Sequence, residues 1–427
     1  MKKIIIGVFS LILATGMYAQ TIGNEAFPQL KDGLLDLNLR TPGQKLRFGG
    51  YLQGSGYYTD IKNAESEYGF DIEHAYLSLE GSFLNEKLGF FLQADFADSY
   101  PLLDAWVSYA PWKQLKISAG QKQTFTNTRQ MMMLDQGLAF GEHSLMDRTF
   151  SRTGRELGLF VESRLSLGKL GFDLGAAVTS GDGRNSFGSS STDPDLGGLK
   201  YGGRVTVYPL GFFTSGNEMV FNDFIREKSP KLAIGAAYSY NVGASNMVGE
   251  GHNDFQMYDK EGAADYPDYR KLFADLLFKW NGFSLLAEYV NATANGLNGL
   301  YVEKDEGAKL KPHQIANYLA LGNGFNVQAG YLFHKLWALD VAYSKVKPEW
   351  KETEQSVLRE AKTTCAWWVY GEQSVLREAD NITFGASKYF NNNTFKLQLA
   401  GSYTSYNQLV GAGSKEFQVK LNLHILF

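Results

Sequence analysis

Residues 414–427 read SKEFQVKLNLHILF, and in this stretch Phe417, Val419, Leu421, Leu423, Ile425 and Phe427 alternate with Gln418, Lys420, Asn422 and His424. A period of two gives a strand one apolar and one polar face. A single such strand is compatible with the edge of any sandwich. The decisive feature is that the pattern recurs about sixteen times between turns of alternating length. That arrangement is expected of a barrel whose strands face lipid outside and water inside.

Working back from this stretch, strands are expected over 46–58, 70–83, 87–98, 101–110, 114–124, 154–167, 169–180 and 199–209. The second half follows at 231–242, 269–281, 283–293, 324–334, 335–346, 380–390, 393–405 and 414–427. Leu397 and Leu399 opposite Lys396 and Gln398 are among the clearest alternations. Connections after even-numbered strands are mostly very short, such as Asn85-Glu86, Gly168 and Asn281-Gly282. Those after odd-numbered strands are mostly long: 125–153, 181–198, 243–268, 294–323 and 347–379. Short turns at one rim and long loops at the other mark an outer-membrane barrel, with the turns on the periplasmic side. The long connection 210–230 follows an even strand and breaks the rule, leaving room for a miscounted hairpin there.

The gross numbers agree. The chain has 427 residues, 46 glycines, only 10 prolines and 14% aromatic residues, a bias that strands, tight turns and interfacial rings all share. Residues 1–20 read as a signal peptide, with Lys2 and Lys3 before the apolar run Ile4 to Ala14. Residues 21–45 read as a periplasmic leader or short hairpin, and 46–427 as the barrel. Removing 1–20 leaves 39 basic against 45 acidic residues, which argues against a nucleic-acid partner. Tyr109, Trp112, Tyr208, Trp280, Trp337, Phe390 and Phe427 fall near short turns, where an aromatic girdle is expected.

No enzyme, cofactor or metal signature emerges. The six histidines are scattered, with no H-E-x-x-H and no pair at ligand spacing. Asp182, Asp193 and Asp195 read as an ordinary solvated loop. The octapeptide EQSVLREA occurs at 354–361 and again at 372–379, a local duplication inside the outer loop 347–379 that brings Cys365, Trp367 and Trp368 with it.

The chemistry concentrates in 114–156. The loop 125–153 is too apolar in its middle (Met131, Met132, Met133, Leu134, Leu138, Phe140) to lie in solvent, so it is expected to fold inward and constrict the pore. Arg129, Arg148, Arg152, Arg155 and Lys122 flank it as candidate constriction residues. Lys116, Arg47, Arg164 and Arg204 face the lumen by parity as candidate wall residues, with Asp95, Asp104, Glu156 and Glu162 among the lumen acids. Low-dielectric walls focus the field of such a cluster and favour anions. The competing reading is that these charges pair with Asp135, Glu142, Asp147 and Glu156 and merely pin the loop.

Residues 33–167 resemble the phosphate-selective porin O/P family of Gram-negative outer membranes. The resemblance rests on Asp32-Gly33-Leu34-Leu35, Leu46-Arg47-Phe48-Gly49-Gly50, Gln93-Ala94-Asp95-Phe96, Leu102-Leu103-Asp104-Ala105, Lys116 to Lys122 and Gly154-Arg155-Glu156-Leu157-Gly158, in that order. It implies a sixteen-stranded homotrimeric barrel among outer-membrane lipid and lipopolysaccharide. It also implies passive diffusion of small inorganic or organic anions, phosphate included. The acids in the loop and the net negative chain depart from that family. The alternatives are therefore a non-selective or differently selective porin, and a plugged barrel whose outer loops bind a surface partner.

Overall fold

The computed structural model describes residues 44–186, 197–249, 256–301, 318–334, 336–350, 376–390, 394–406 and 414–427. It also describes Lys309, Leu310, Ile315 and the backbone of 18–19, 35–38, 367–370 and 373–375. The main wall is sixteen strands in chain order. The first half comprises β1 (Lys45–Ile61), β2 (Glu67–Phe83), β3 (Leu88–Asp95), β4 (Leu102–Trp112), β5 (Leu115–Gln123), β6 (Arg155–Leu167), β7 (Leu170–Thr179) and β8 (Lys200–Tyr208). The second comprises β9 (Lys231–Asn241), β10 (Asp268–Trp280), β11 (Phe283–Asn295), β12 (Gly322–Leu332), β13 (Trp337–Pro348), β14 (Ala379–Phe390), β15 (Phe395–Tyr406) and β16 (Lys415–Leu426). Each pairs antiparallel with the next, and β16 returns to β1 from Glu416↔Ile61 to Leu426↔Tyr51. Phe427 completes the seam: its N–H donates to the Gly50 carbonyl at 3.0 Å, and the Gly50 N–H donates back at 2.6 Å. The expected all-β barrel is the observed one. The connection 209–230 adds no strand to the ring.

The alternation turns this ring inside out relative to a water-soluble protein. On β15, Lys396 and Gln398 are buried, whereas Leu397 and Leu399 are 39% and 55% exposed on the outer face. On β16, Asn422 and His424 point inward and Leu421 and Leu423 outward. An outer wall of this composition is stable only against hydrocarbon. Trp112, Trp280, Trp337, Phe390 and Phe427 stand exposed at the short-turn rim, as a girdle requires. Tyr208 corrects that expectation. It is 2% exposed inside the lumen, because it shares the face of Arg204 and Thr206, and its hydroxyl donates to Asp173 Oδ2 at 2.6 Å.

The expected leader over 1–20 and segment 21–45 lie outside the described residues, apart from Lys45, a loop residue at 44 and two short backbone pairings, of Tyr18–Ala19 with β6 and of Leu35–Asn38 with β1. The first copy of EQSVLREA, Cys365 and two of the acids at 193 and 195 also lie outside them. The second copy ends inside the fold: Leu376 and Arg377 are buried, and Ala379 opens β14.

A closed barrel resists detergent until heated. The unheated protein is expected to migrate faster than the boiled protein in detergent gels, and identical mobility would contradict closure.

Candidate functional site

The lumen is filled from both rims. From the long-loop rim, residues 124–154 turn inward as the sequence implies. This loop carries two short helices, α1 (Arg129–Met132, capped by the Thr128 side chain) and α2 (Leu145–Phe150, capped by Ser144). Its apolar residues find partners on the wall. Leu138, Ala139 and Phe140 pack with Leu277, Leu286 and Ala342, and Leu145, Met146 and Phe150 pack with Phe273 and Val290. Wall glycines act as sockets: a Cβ on Gly385 would stand 2.9 Å from the Phe140 ring, and one on Gly175 would stand 2.6 Å from the Phe125 ring. Glycine within a strand commonly marks such a close approach.

Backbone groups carried into the lumen also need partners, since an unsatisfied buried carbonyl or amide costs on the order of 1–3 kcal/mol. Wall side chains supply them. Lys396 donates to the Ala139 carbonyl at 2.8 Å, and Lys271 to that of Phe150 at 2.5 Å. Glu288 accepts from the Gln130 N–H at 2.7 Å, and Ser344 Oγ from that of Met146 at 3.0 Å.

A second insert enters from the short-turn rim and was not foreseen. In the connection 209–230, a 3₁₀ turn (Asn217–Met219) and the run Val220 to Asp223 lie buried inside the barrel, apart from the partly covered Met219. Lys279 is its anchor, donating to the carbonyls of Asn217 and Val220, the latter at 2.7 Å. Asp223 accepts from the Gly282 N–H at 2.9 Å, and Asn222 donates to the Tyr389 hydroxyl at 2.9 Å. The two inserts touch: the Phe221 N–H donates to the Gly137 carbonyl at 2.8 Å. The signal was present in Met219-Val220-Phe221, an apolar centre in a long connection, the same feature that marked the first loop.

Among the described residues, a cavity of about 540 Å³ lies open against β2–β8. Six of the expected residues line it: Lys116, Lys122, Arg129, Arg155, Arg164 and Arg204. Three do not. Arg47 pairs with Glu80 at 3.3 Å, Arg148 approaches Glu142 at 3.7 Å beside α2, and Arg152 is exposed. Among the lining cations, Lys122 and Lys116 share Glu162, the latter at 3.6 Å. Arg155 holds Asp104 at 2.8 Å. Arg164 grips Asp173 through two bonds of 2.7 Å and reaches Glu218, carried by the second insert, at 3.2 Å. Arg129 and Arg204 share Asp275 behind the lining. Asp135 accepts from the Tyr76 hydroxyl and lies 3.3 Å from His143 Nε2. The cavity surface is therefore charged but closely balanced.

Two loop acids, both pushed up by burial, end on opposite sides of the usual carboxylate range. Burial raises the Asp135 carboxyl, but the His143 contact and the nearby His74 and Arg155 charges outweigh it and hold the group well below the usual carboxylate range. Its contribution to seating the loop is therefore complete above ordinary carboxylate pKa values and fades as pH falls through the depressed value. Burial pushes the Asp147 carboxyl up, against the pull of His143 and Arg148.

Lys279→Met removes the anchor of the second insert while leaving the wall intact. The variant is expected to keep its heat-modifiable migration and to show a larger, noisier unitary conductance. An unchanged conductance would show that the insert is held by other contacts.

The chain matches no protein-family model, and no curated protein matches its sequence. Solved structures match along nearly its whole length. OmpF of Salmonella typhi, solved in complex with daunomycin, superposes with a TM-score of 0.53 at 18% identity, over 92% of this chain and 100% of that one. The outer membrane channel DcaP of Acinetobacter baumannii gives 0.53 at 12% identity, over 92% and 100%. OprB of Pseudomonas putida, in its high-pH structure, gives 0.53 at 10% identity, over 90% and 94%. At such identities the likeness is one of architecture, and it points to the porin barrels at large rather than to a phosphate-selective branch. This chain has the fold of the sixteen-stranded outer-membrane porins, and its closed ring with an apolar outer belt is built to sit in an outer membrane.

Proposed function

We propose that this protein is an outer-membrane porin through which small hydrophilic solutes diffuse without energy input. The observation that carries this reading is the cavity along β2–β8: a space inside a lipid-facing barrel whose lining carries charged residues of both signs among apolar ones. The pairing of Arg155 with Asp104, of Arg164 with Asp173 and Glu218, and of Lys116 and Lys122 with Glu162 favours weak discrimination between small cations and anions. It speaks against a strongly anion-selective or phosphate-selective pore, because a permeating anion meets cations that, apart from the two lysines sharing Glu162, each have an acid of their own or a shared one close by. Arg129, Arg155 and Lys122 remain the residues proposed to shape the constriction. The meeting of the two inserts favours one second reading, a barrel plugged at rest whose long outer loops bind a partner.

Zero-current potential across a KCl gradient tests both readings. The reconstituted wild-type protein is expected to give a value near zero. Glu218→Gln frees Arg164 of one partner and should shift the potential toward chloride, raising the chloride-to-potassium permeability ratio roughly twofold. A strongly chloride-selective wild type would restore the anion reading, and absence of current would favour the plugged barrel.

The homotrimer has support in the outer wall. The most exposed large apolar side chains of the described residues gather on β2–β4 and the turns beside them, with Phe70 94%, Tyr68 81%, Phe96 67% and Val107 61% exposed. The whole outer wall faces lipid, so it is the greater exposure of this one sector that makes it the proposed contact between copies. Phe70→Asp combined with Ile72→Asp is expected to dissociate the oligomer in native mass spectrometry while the barrel stays heat-modifiable. An unaltered oligomer would place the contact on another wall.

A further inference from the structure

The residual cavity has two unlike faces. On β2–β4 three aromatic side chains, Tyr76, Phe91 and Trp106, line the space beside Gln93 and Asp104, together with Met132 and Leu134 of the inserted loop. This departs from the polar inner wall expected of a water-filled barrel. Leu134 packs against the cluster formed by these rings, and the Phe91 and Trp106 centroids lie 5.7 Å apart. On β5–β6 the surface is charged, and its pairing is uneven. Two ammonium groups, Lys116 and Lys122, share the single Glu162 carboxylate. The neighbouring Asp104 is held by Arg155. This end of the cavity therefore carries more positive than negative charge in direct contact, although the lining as a whole is balanced. Both ammonium groups also sit beside the Trp106 ring, 5.9 and 5.6 Å from its centroid. An uncompensated cation thus adjoins an aromatic wall within a volume of about 540 Å³, inside the range of small-molecule sites.

We propose that this end of the cavity is a binding station for small organic monocarboxylates with a planar apolar body. The carboxylate takes the donor capacity that Lys116 and Lys122 do not use on Glu162. The ring lies among Trp106, Phe91, Met132 and Leu134, where it gains contact area that a hydrated inorganic ion cannot use. The station deepens the porin reading and rests on it, since it names the solute class that would dwell in the channel during passage. It also separates two demands. Inorganic ions see a lining whose charges nearly cancel, whereas an aromatic acid finds its own charge and its apolar body matched side by side.

The test uses the full-length protein in planar bilayers, with benzoate as the probe and acetate and benzyl alcohol as its charge-only and ring-only counterparts. Benzoate is expected to block the KCl current saturably at concentrations where neither counterpart does. Lys116→Gln leaves Lys122 and Glu162 as a one-to-one pair, and should weaken the block roughly tenfold when the block is read as the fraction of the variant's own KCl current. Glu162→Gln should strengthen it. Trp106→Leu should bring benzoate down to the level of acetate, with heat-modifiable migration confirming the fold. Equal block by benzoate and acetate, or by benzoate and benzyl alcohol, would overturn the proposal. If the barrel carries no current, the porin reading fails separately. Benzoate binding to the detergent-solubilised protein, measured by calorimetry and lost in Lys116→Gln, would then still support the station, and its absence would overturn it.

Discussion

Every backbone donor and acceptor that enters this barrel has to find a partner away from bulk water. The wall meets that demand by closing: β16 pairs with β1, and the Gly50–Phe427 bonds seal the seam. The inserts cannot do the same, because they are too short and irregular to pair with themselves. Their carbonyls are satisfied by cations on the inner wall, Lys271, Lys279 and Lys396, and two of their amides by Glu288 and Ser344, while Asp223 of the second insert accepts from the Gly282 N–H of a wall turn. Inward-facing polar residues that look like generic channel lining are therefore, on the β9–β16 side, attachment points. This division of labour leaves the channel eccentric.

The same division explains the glycine content. A strand residue without a side chain lets an inserted aromatic or methionine reach the sheet, as Phe140 does at Gly385, Phe221 at Gly330 and Met146 at Gly324. Filled in this way, the β9–β16 side of the lumen becomes a packed core, and the open cavity lies against β2–β8. There the lining cations meet acids drawn from the wall and, in Glu218, from the second insert. Size limit and charge balance thus come from one arrangement, since the segment that narrows the lumen also carries part of its neutralising charge.

The sequence exposed some of this and concealed the rest. All sixteen strands were legible because period-two patterning is local and lipid enforces it on each strand separately. The loop 125–153 was legible because its apolar centre has no place in water. The second insert carried the same signal in Met219-Val220-Phe221 but was masked by the short-turn rule, which made 209–230 look like a possible error of count. Tyr208 was misplaced because proximity to a turn was weighed above its parity with Arg204. Of the nine basic residues singled out, six line the cavity, three of them (Lys116, Arg164 and Arg204) named by strand parity and three (Lys122, Arg129 and Arg155) by their place beside the inserted loop. Arg148 and Arg152 sit on α2 and just past it, where position beside the apolar loop does not say which way a side chain on a helix or turn will point.

The sequence by itself determined the membrane barrel, its strand order and its inward loop, because each follows from periodicity within a single segment. Only the tertiary structure decided which charges cancel. Lys122 lies opposite Glu156 in the strand register, yet its ammonium group reaches Glu162, while Glu156 is taken by Lys200 from two strands away. Ion pairing in the lumen depends on side-chain reach, on strand tilt and on what the inserts leave uncovered. These are relations between segments far apart in the chain, and no period within any one of them encodes the answer.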